Sequence, residues 1–421
     1  MTRRPFSTAA LCLAVAQFFA GRKRMCAVLC IATASVLHAQ PKPTRALWVT
    51  RATLASPESI TQMIASAEAG GFNTVLVQVR GRGDAYYVGS LEPRASELAA
   101  KPAFDPLAMV IERAHAKGIK VHAWVAVNLV SSSVTLPASR DHVVYRSPEW
   151  LMVPRELAAP MKKIDLRSPA YLGRLARWTR AHSSKVEGLY TSPLHPAAQD
   201  HTAAVIGEIA ARYPIDGVHL DYVRFPNDDF DYSPSAMERF KNAVLPDLTE
   251  AERRDAAARE LLDPAAYPNL FPERWNDFRR SRLTSLVIKI RTTVKTARPS
   301  ALLSAAVLPD AQEAFERRLQ DWRGWIDQSL LDVLVPMAYT ADLDIFREQI
   351  AAARAAAGSR PVWAGIGAYQ MTATQTLEHI AAARKLGAGI SLFSYEALVT
   401  PPNTLETIGA IGRAAFGTAP E

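Results

Sequence analysis

The residues of this 421-residue chain best equipped for chemistry are acids that close short apolar runs. The run His219-Leu220-Asp221-Tyr222-Val223-Arg224-Phe225-Pro226 sets a carboxylate between an imidazole and a guanidinium. Other runs end in Pro309-Asp310, in Tyr339-Thr340-Ala341-Asp342 and in Tyr395-Glu396, and Gln78-Val79-Arg80-Gly81-Arg82-Gly83-Asp84 mixes cations with a further acid. Trp48, Trp124, Tyr339, Trp363, Tyr369 and Tyr395 fall in the same parts of the chain. Carboxylates flanked by flat aromatic faces suit the cleavage of a glycosidic bond. One carboxyl protonates the leaving oxygen, another stabilises or attacks the oxocarbenium-like centre, and rings pack on sugar faces.

In an extended strand His219, Asp221 and Val223 share one face, and Val218, Leu220 and Tyr222 share the other. Asp221 is therefore expected to point inward and to act as nucleophile or general base. Its structural alternative is a buried aspartate paired with Arg224 or Arg80. The proton donor is expected to be Asp310 or Glu396. Asp310 has a competing role, because Glu313 three residues on completes capping-box spacing, whereas Glu396 has no evident capping duty. Asp342 is a helix cap or a substrate ligand. Arg80, Asp84, Arg224, Trp48, Trp124, Tyr339 and Trp363 are expected to bind substrate. His219 reads either as a contact to substrate or as a satisfied interior histidine.

Several chemistries are disfavoured. Asn227-Asp228-Asp229-Phe230-Asp231 is acidic but lacks the glycine and distal glutamate of a calcium loop. The chain has no HExxH, no zinc-ligand spacing, no phosphate-binding glycine loop after a strand and no GxSxG elbow. No metal and no cofactor are expected.

The elements that must position these residues recur with a period. Apolar, β-branched runs begin near Arg45, Thr74, Lys120, Gly217, Leu302, Val333, Val362 and Gly389, and helix-period segments follow them. Ser56-Pro57 and Asp105-Pro106 each place a capping side chain before a proline at the first helical position. Gly70-Gly71 and Gly118 supply the left-handed turns that end those helices. Eight βα units with nearly continuous apolar strands predict an α/β fold, a (β/α)₈ TIM-type barrel with catalytic groups at the C-terminal strand ends. An open doubly wound sheet is the alternative. Intervals of about 97 and about 85 residues after strands three and four, against about 30 for one unit, predict long insertions there. The first, with its polar stretch Ser131–Gln199, is expected to be a loop excursion with a little secondary structure of its own, and the second to contain an acidic loop, a helix and then a long helix over Glu273–Ala297.

Composition narrows the partners. Lys and Arg number 49 against 41 acids, but Arg3, Arg4, Arg22, Lys23 and Arg24 precede residue 40 and no acid does, so the remainder is nearly balanced. No basic block interleaves with aromatics as a nucleic-acid groove would. Arg22-Lys23-Arg24, the apolar run Met25–Leu37 and Leu37-His38-Ala39 have the three parts of a secretory signal, so residues 1–39 are expected to be a signal peptide and 40–421 the barrel. An uncleaved anchor is the alternative reading. Cys12, Cys26 and Cys30 all lie in that leader, which leaves the mature chain without a disulfide or thiolate.

Several long motifs carry a resemblance. RALWVT, GFNTVLVQVRGRGDAYY, FDPLAMVIERAHAKGIKVHAW, DGVHLDYVRFP, DWRGWIDQSLLDVLVPMAY and SLFSYE run in order from about Thr44 to Leu398. Together they resemble the bacterial glycosyl-hydrolase-like family ten, which contains division-associated peptidoglycan hydrolases. The resemblance implies a (β/α)₈ barrel, an envelope or extracellular location and glycan hydrolysis. The segment Asp216–Asp221 is also similar to the signature of chitinase-type barrels. It departs where Val223 stands in place of their acid glutamate and His219 in place of an aspartate, which argues against substrate-assisted chemistry. The expected function is hydrolysis of O-glycosidic bonds in a cell-envelope polysaccharide such as peptidoglycan, outside the cytoplasm. The alternative is a barrel that binds envelope glycan without cutting it.

Overall fold

The computed structural model describes residues 43–401 and 403–417, so the leader expected over residues 1–39 lies outside the described residues. Eight strands form in chain order: β1 Arg45–Val49, β2 Thr74–Arg80, β3 Lys120–Ala126, β4 Gly217–Asp221, β5 Leu302–Val307, β6 Val333–Pro336, β7 Trp363–Gly367 and β8 Gly389–Phe393. All seven residues of β2 (TVLVQVR) are buried, as in a parallel sheet covered on both faces. The strands run in the order β6-β5-β4-β3-β2-β1-β8-β7, every pairing parallel. Isolated parallel bridges, Leu334 to Val362 and Met337 to Gly365, close the seam between β6 and β7. The fold is a (β/α)₈ barrel.

Alternation along each strand divides the core in two. Leu47, Val49, Val75, Val77, Val121, Val218, Leu220 and Leu303 face outward and pack against the helices. Ala46, Trp48, Leu76, Trp124, Val333, Val335 and Trp363 face inward, with Tyr339 and Phe393 packed on them. Several wide rings inside so narrow a cylinder require small residues beside them. A Cβ at Gly217 would fall 2.4 Å from two ring atoms of His122 and 2.8 Å from the Leu302 carbonyl oxygen. Gly217→Ala is therefore expected to cost about 1–3 kcal/mol through overpacking, read as a lower urea midpoint. An unchanged midpoint would show that the His122 ring yields freely.

The expected helix signals appear where they were placed. Ser56 accepts from the Ser59 N–H and Asp105 from the Ala108 N–H, each with proline next in the chain, and Gly71 and Gly118 have φ of 65° and 67°. The insertion after β4 contains the helix Pro272–Ala297. The insertion after β3 is richer than a loop excursion. It carries the helices Pro169–Ala181 and Pro196–Arg212 and a small core of its own that includes Val144, Leu151, Met161, Tyr171 and Leu175. In Pro169–Ala181 the arginines at 174, 177 and 180 mask the apolar stripe Tyr171-Leu172-Leu175 in any window average. Among the described residues no helix is long and apolar enough to cross a membrane.

Candidate active site

A cavity of about 370 Å³ opens at the C-terminal ends of the strands, the face on which barrels of this type carry their chemistry. Trp48, Trp124, Tyr339 and Phe393 form much of its apolar wall, and Asp221, Arg224, Arg51 and Arg82 supply its charge. Tyr339 and Phe393 stack with ring centroids 5.6 Å apart, and Trp48 meets Phe393 edge-on at 5.8 Å. The polar groups of the cavity thus stand against a rigid aromatic frame.

Asp221 ends β4 and is nearly fully buried. Its Oδ2 accepts from the Trp124 indole N–H at 3.1 Å and its Oδ1 from the Tyr222 backbone N–H at 2.7 Å. The Arg224 guanidinium lies 3.6 Å from Oδ1. Burial pushes this carboxyl above the ordinary aspartate range, against the opposing pull of Arg224 and the two N–H donors. Strand alternation stops here, because Tyr222 has φ of 50°. Tyr222 therefore lines the cavity while Val223 packs into the outer core. That reverses the faces expected for these two residues from an unbroken strand.

A second carboxylate comes from the insertion after β3. The Glu187 carboxylate accepts from Arg224 Nη2 at 3.1 Å and from the Tyr190 hydroxyl at 2.7 Å. Burial alone would raise the Glu187 carboxyl, but Arg224, Tyr190 and a backbone donor outweigh it and hold the group below the usual glutamate range. Asp221 and Glu187 contact the two amino groups of one guanidinium, so their nearest oxygens are at most about 9 Å apart. Paired glycosidase carboxylates span roughly 5–9.5 Å.

Comparison with known proteins shows the family of the chain. The sequence model of the glycosyl hydrolase-like 10 family matches residues 43–378. The chain belongs to that family. It is 26% identical over 288 residues to the glycosyl hydrolase DigH of Escherichia coli K12, a match covering 64% of this chain and 55% of DigH. To the glycosyl hydrolase YngK of Bacillus subtilis it is 24% identical over 290 residues, covering 64% of this chain and 46% of YngK. The chain thus spans about half the length of the curated relatives it matches. Among solved structures, the glycoside hydrolase domain of PgaB (BpsB) from Bordetella bronchiseptica superposes with a TM-score of 0.59 at 16% identity. That superposition covers 88% of this chain and 98% of that one. A β-galactosidase from Bacillus circulans sp. alkalophilus gives 0.58 at 12%, covering 89% and 56%. At such identities these two likenesses speak for the fold.

In this member of the glycosyl hydrolase-like 10 family, the residues singled out by sequence divide into three groups. Trp48, Trp124, Asp221, Arg224 and Tyr339 line the cavity. His219 and Trp363 lie inside the barrel and outside that lining. Burial drives the His219 imidazole down to about 3, so it is neutral. Its Nε2 accepts from the Trp48 indole N–H at 3.1 Å and its Nδ1 lies 2.9 Å from Ser304 Oγ, which makes His219 the prop that orients the Trp48 ring. Trp363 meets His122 edge-on at 5.3 Å.

The third group stands apart from the cavity. Arg80 is fully buried and its donors are already engaged, by both carboxylate oxygens of Glu92 at 2.7 and 2.6 Å and by the Ala126 and Val127 carbonyls. It pins β2 to β3 and has no guanidinium face left for substrate. Asp84 accepts from the Arg82 backbone N–H at 2.9 Å and lines a neighbouring cleft. Asp310 and Asp342 are exposed N-caps of the helices Ala311–Arg317 and Leu343–Ala357. Glu396 Oε1 accepts from the Thr50 N–H at 2.9 Å and the Thr53 hydroxyl at 2.6 Å, so it ties the end of β8 to the loop after β1. Its Oε2 is buried with no partner among the described residues.

Sequence reasoning did not single out Glu187, Arg51, Arg82 or Tyr222. Nothing local marks Glu187. Arg82 stands in the same run as Arg80, two positions on and of the same strand parity, so nothing local separates the two. The acidic segment after Pro226 folds back on the protein: Asp231 accepts from the Val153 and Ser233 N–H groups, both at 2.8 Å.

Proposed function

We propose that this chain hydrolyses O-glycosidic bonds in a cell-envelope polysaccharide, with peptidoglycan glycan strands as its substrate, on the outer side of the cytoplasmic membrane. The observation that carries the reading is Asp221: a buried carboxylate at the mouth of the barrel, braced by Trp124 and the Tyr222 N–H inside an aromatic-walled cavity. The names of the curated relatives support hydrolysis, and the Met25–Ala39 pattern supports export.

The environments of the two carboxylates favour a division of labour different from the one expected from sequence. Environments that push paired carboxyls in opposite directions separate the acid from the base. Asp221, raised by burial, is suited to keep a proton and deliver it to the leaving oxygen. Glu187, held low, stays ionised and can activate water or stabilise positive charge. Activity should then follow a bell-shaped pH profile with an acidic optimum. The rate falls as pH rises through the Asp221 pKa and the acid donor is lost. It also falls as pH drops through the Glu187 pKa and the base is neutralised. Glu187→Gln should abolish the acidic limb and lower turnover by about 10²-fold or more. An unchanged profile would remove Glu187 from the reaction.

A specific observation also favours the binding-only alternative: Asp221 is the single carboxylate among the described residues lining the cavity. Incubating the chain with peptide-stripped glycan strands and weighing the released fragments by mass spectrometry decides between them. Fragments whose masses sum to that of the cut strand plus one water support hydrolysis. Retention of intact strands supports binding alone.

A further inference from the structure

We infer that Arg51, Arg82 and Arg224 form a receptor for a carboxylate on the sugar bound beside Asp221, so that the chain selects acidic over neutral glycans. The inference rests on the glycan reading of the cavity and names a feature of its ligand. Three guanidiniums and one carboxylate line this cavity among the described residues. Arg51 and Arg82 are tied down through their backbones alone. The Arg51 N–H donates to Gln78 at 3.3 Å, the Arg82 N–H to Asp84 at 2.9 Å, and the Arg82 carbonyl lies 2.8 Å from His142 Nε2. Among the described residues neither side chain has an acid within ion-pair distance or a hydrogen-bond acceptor. Arg224 leaves Nε and Nη1 without hydrogen-bond partners, and its residue is more than nine-tenths buried.

The placement of these cations is built in. A Cβ on Gly81 would fall 2.5 Å from Arg51 Nη1 and 2.8 Å from its Cδ, so the absent side chain at Gly81 is what lets Arg51 lie across the end of β2. The two arginines line the same cavity and the same adjoining cleft, and burial first, then the Arg51 charge, lower the Arg82 pKa. Like charges brought together in a half-buried cleft cost free energy that a bound anion would recover. A guanidinium fork matches a carboxylate in two parallel hydrogen bonds. Arg51 and Arg82 also line the adjoining cleft of about 540 Å³, together with Arg94, the acids Asp84 and Glu97, and the hydroxyls of Ser131, Ser132, Thr135 and Ser139. A polymer can therefore run from Asp221 over the arginine pair into this mixed polar cleft.

The test compares three probes by equilibrium binding: peptide-free glycan strands with free carboxylates, the same strands with those carboxylates amidated, and a neutral N-acetylglucosamine oligomer. The parent chain is expected to bind the acidic strands about tenfold more tightly than either other probe, with a preference that shrinks as salt is added. Arg51→Gln/Arg82→Gln should bring the three affinities within about twofold, and the matching lysine variant should retain part of the preference. The single variant Arg51→Gln, at a half-exposed position, carries the test should the double variant unfold. Equal affinities in the parent, or a preference that survives in the glutamine variants, would overturn the inference alone. A parent that binds none of the probes would overturn the glycan reading, and this inference with it.

Discussion

Asp221→Asn is expected to lower turnover on the order of 10³-fold while leaving most glycan affinity in place. The lost group acts on charge and protons that appear only in the transition state, and removal of one strong electrostatic stabiliser has effects of that size. The neighbours set the secondary cost. Trp124 and the Tyr222 backbone each donate to a different oxygen of Asp221, and an amide can accept only one of those bonds. The other N–H then faces an NH₂, a mismatch worth about 1–3 kcal/mol. The same change removes a carboxyl whose ionisation burial opposes, and the two effects oppose each other. The melting temperature is therefore expected to move by a few degrees at most. Turnover per folded molecule and melting temperature, measured on the one variant, separate two roles. Near-normal turnover with a large thermal loss would make Asp221 an anchor for Trp124 and Arg224 and leave the cavity without its acid.

Arg80→Met is expected to cost about 3–5 kcal/mol of stability, because it strands the Glu92 carboxylate in the interior. The two side chains are almost fully buried and joined through two hydrogen bonds, and only His201, at 3.3 Å, would remain beside Glu92. Burial alone would raise the Glu92 carboxyl, yet Arg80 and His201 outweigh it and hold the group at about 2. A carboxylate held below its unfolded value stabilises the fold above the unfolded pKa of about 4.3, and that contribution is lost as pH falls toward the folded value. The gap between parent and variant should thus be full near neutrality and narrow on acidification below about pH 4. Urea unfolding at both pH values measures it. A gap that stays constant would mean the loss comes from packing of the arginine stem, with the ion pair contributing little.

The neutrality of His219 shows how far a strand pattern can be read. Its inward parity followed from alternation alone, and so did that of Asp221. The partners that make His219 a prop for Trp48 lie 171 and 85 residues away. Ser304 stands opposite His219 on the neighbouring strand β5, whereas Trp48 reaches it across the barrel interior from β1, a meeting that only closure of the sheet provides.

The sequence by itself determined the eight-strand barrel, its two long insertions, the proline-led helix starts and the strand end that carries Asp221. These are short-range properties: runs of apolar residues, caps and left-handed glycines act within a few positions of one another, and right-handed βα units leave little choice of assembly. Tertiary structure alone decided which arginine is engaged and which is open. Arg80 and Arg82 differ by two positions, but only Arg80 meets Glu92 and the carbonyls of β3. It also decided the partner of Asp221. Glu187 reaches Arg224 from 37 residues upstream, on an insertion held in place by its own small core. The left-handed residue Tyr222 turned the chain so that alternation no longer predicts what faces the cavity. Hydrogen-bond and ion-pair partners are allotted by packing among distant segments, and no pattern confined to one segment carries that information.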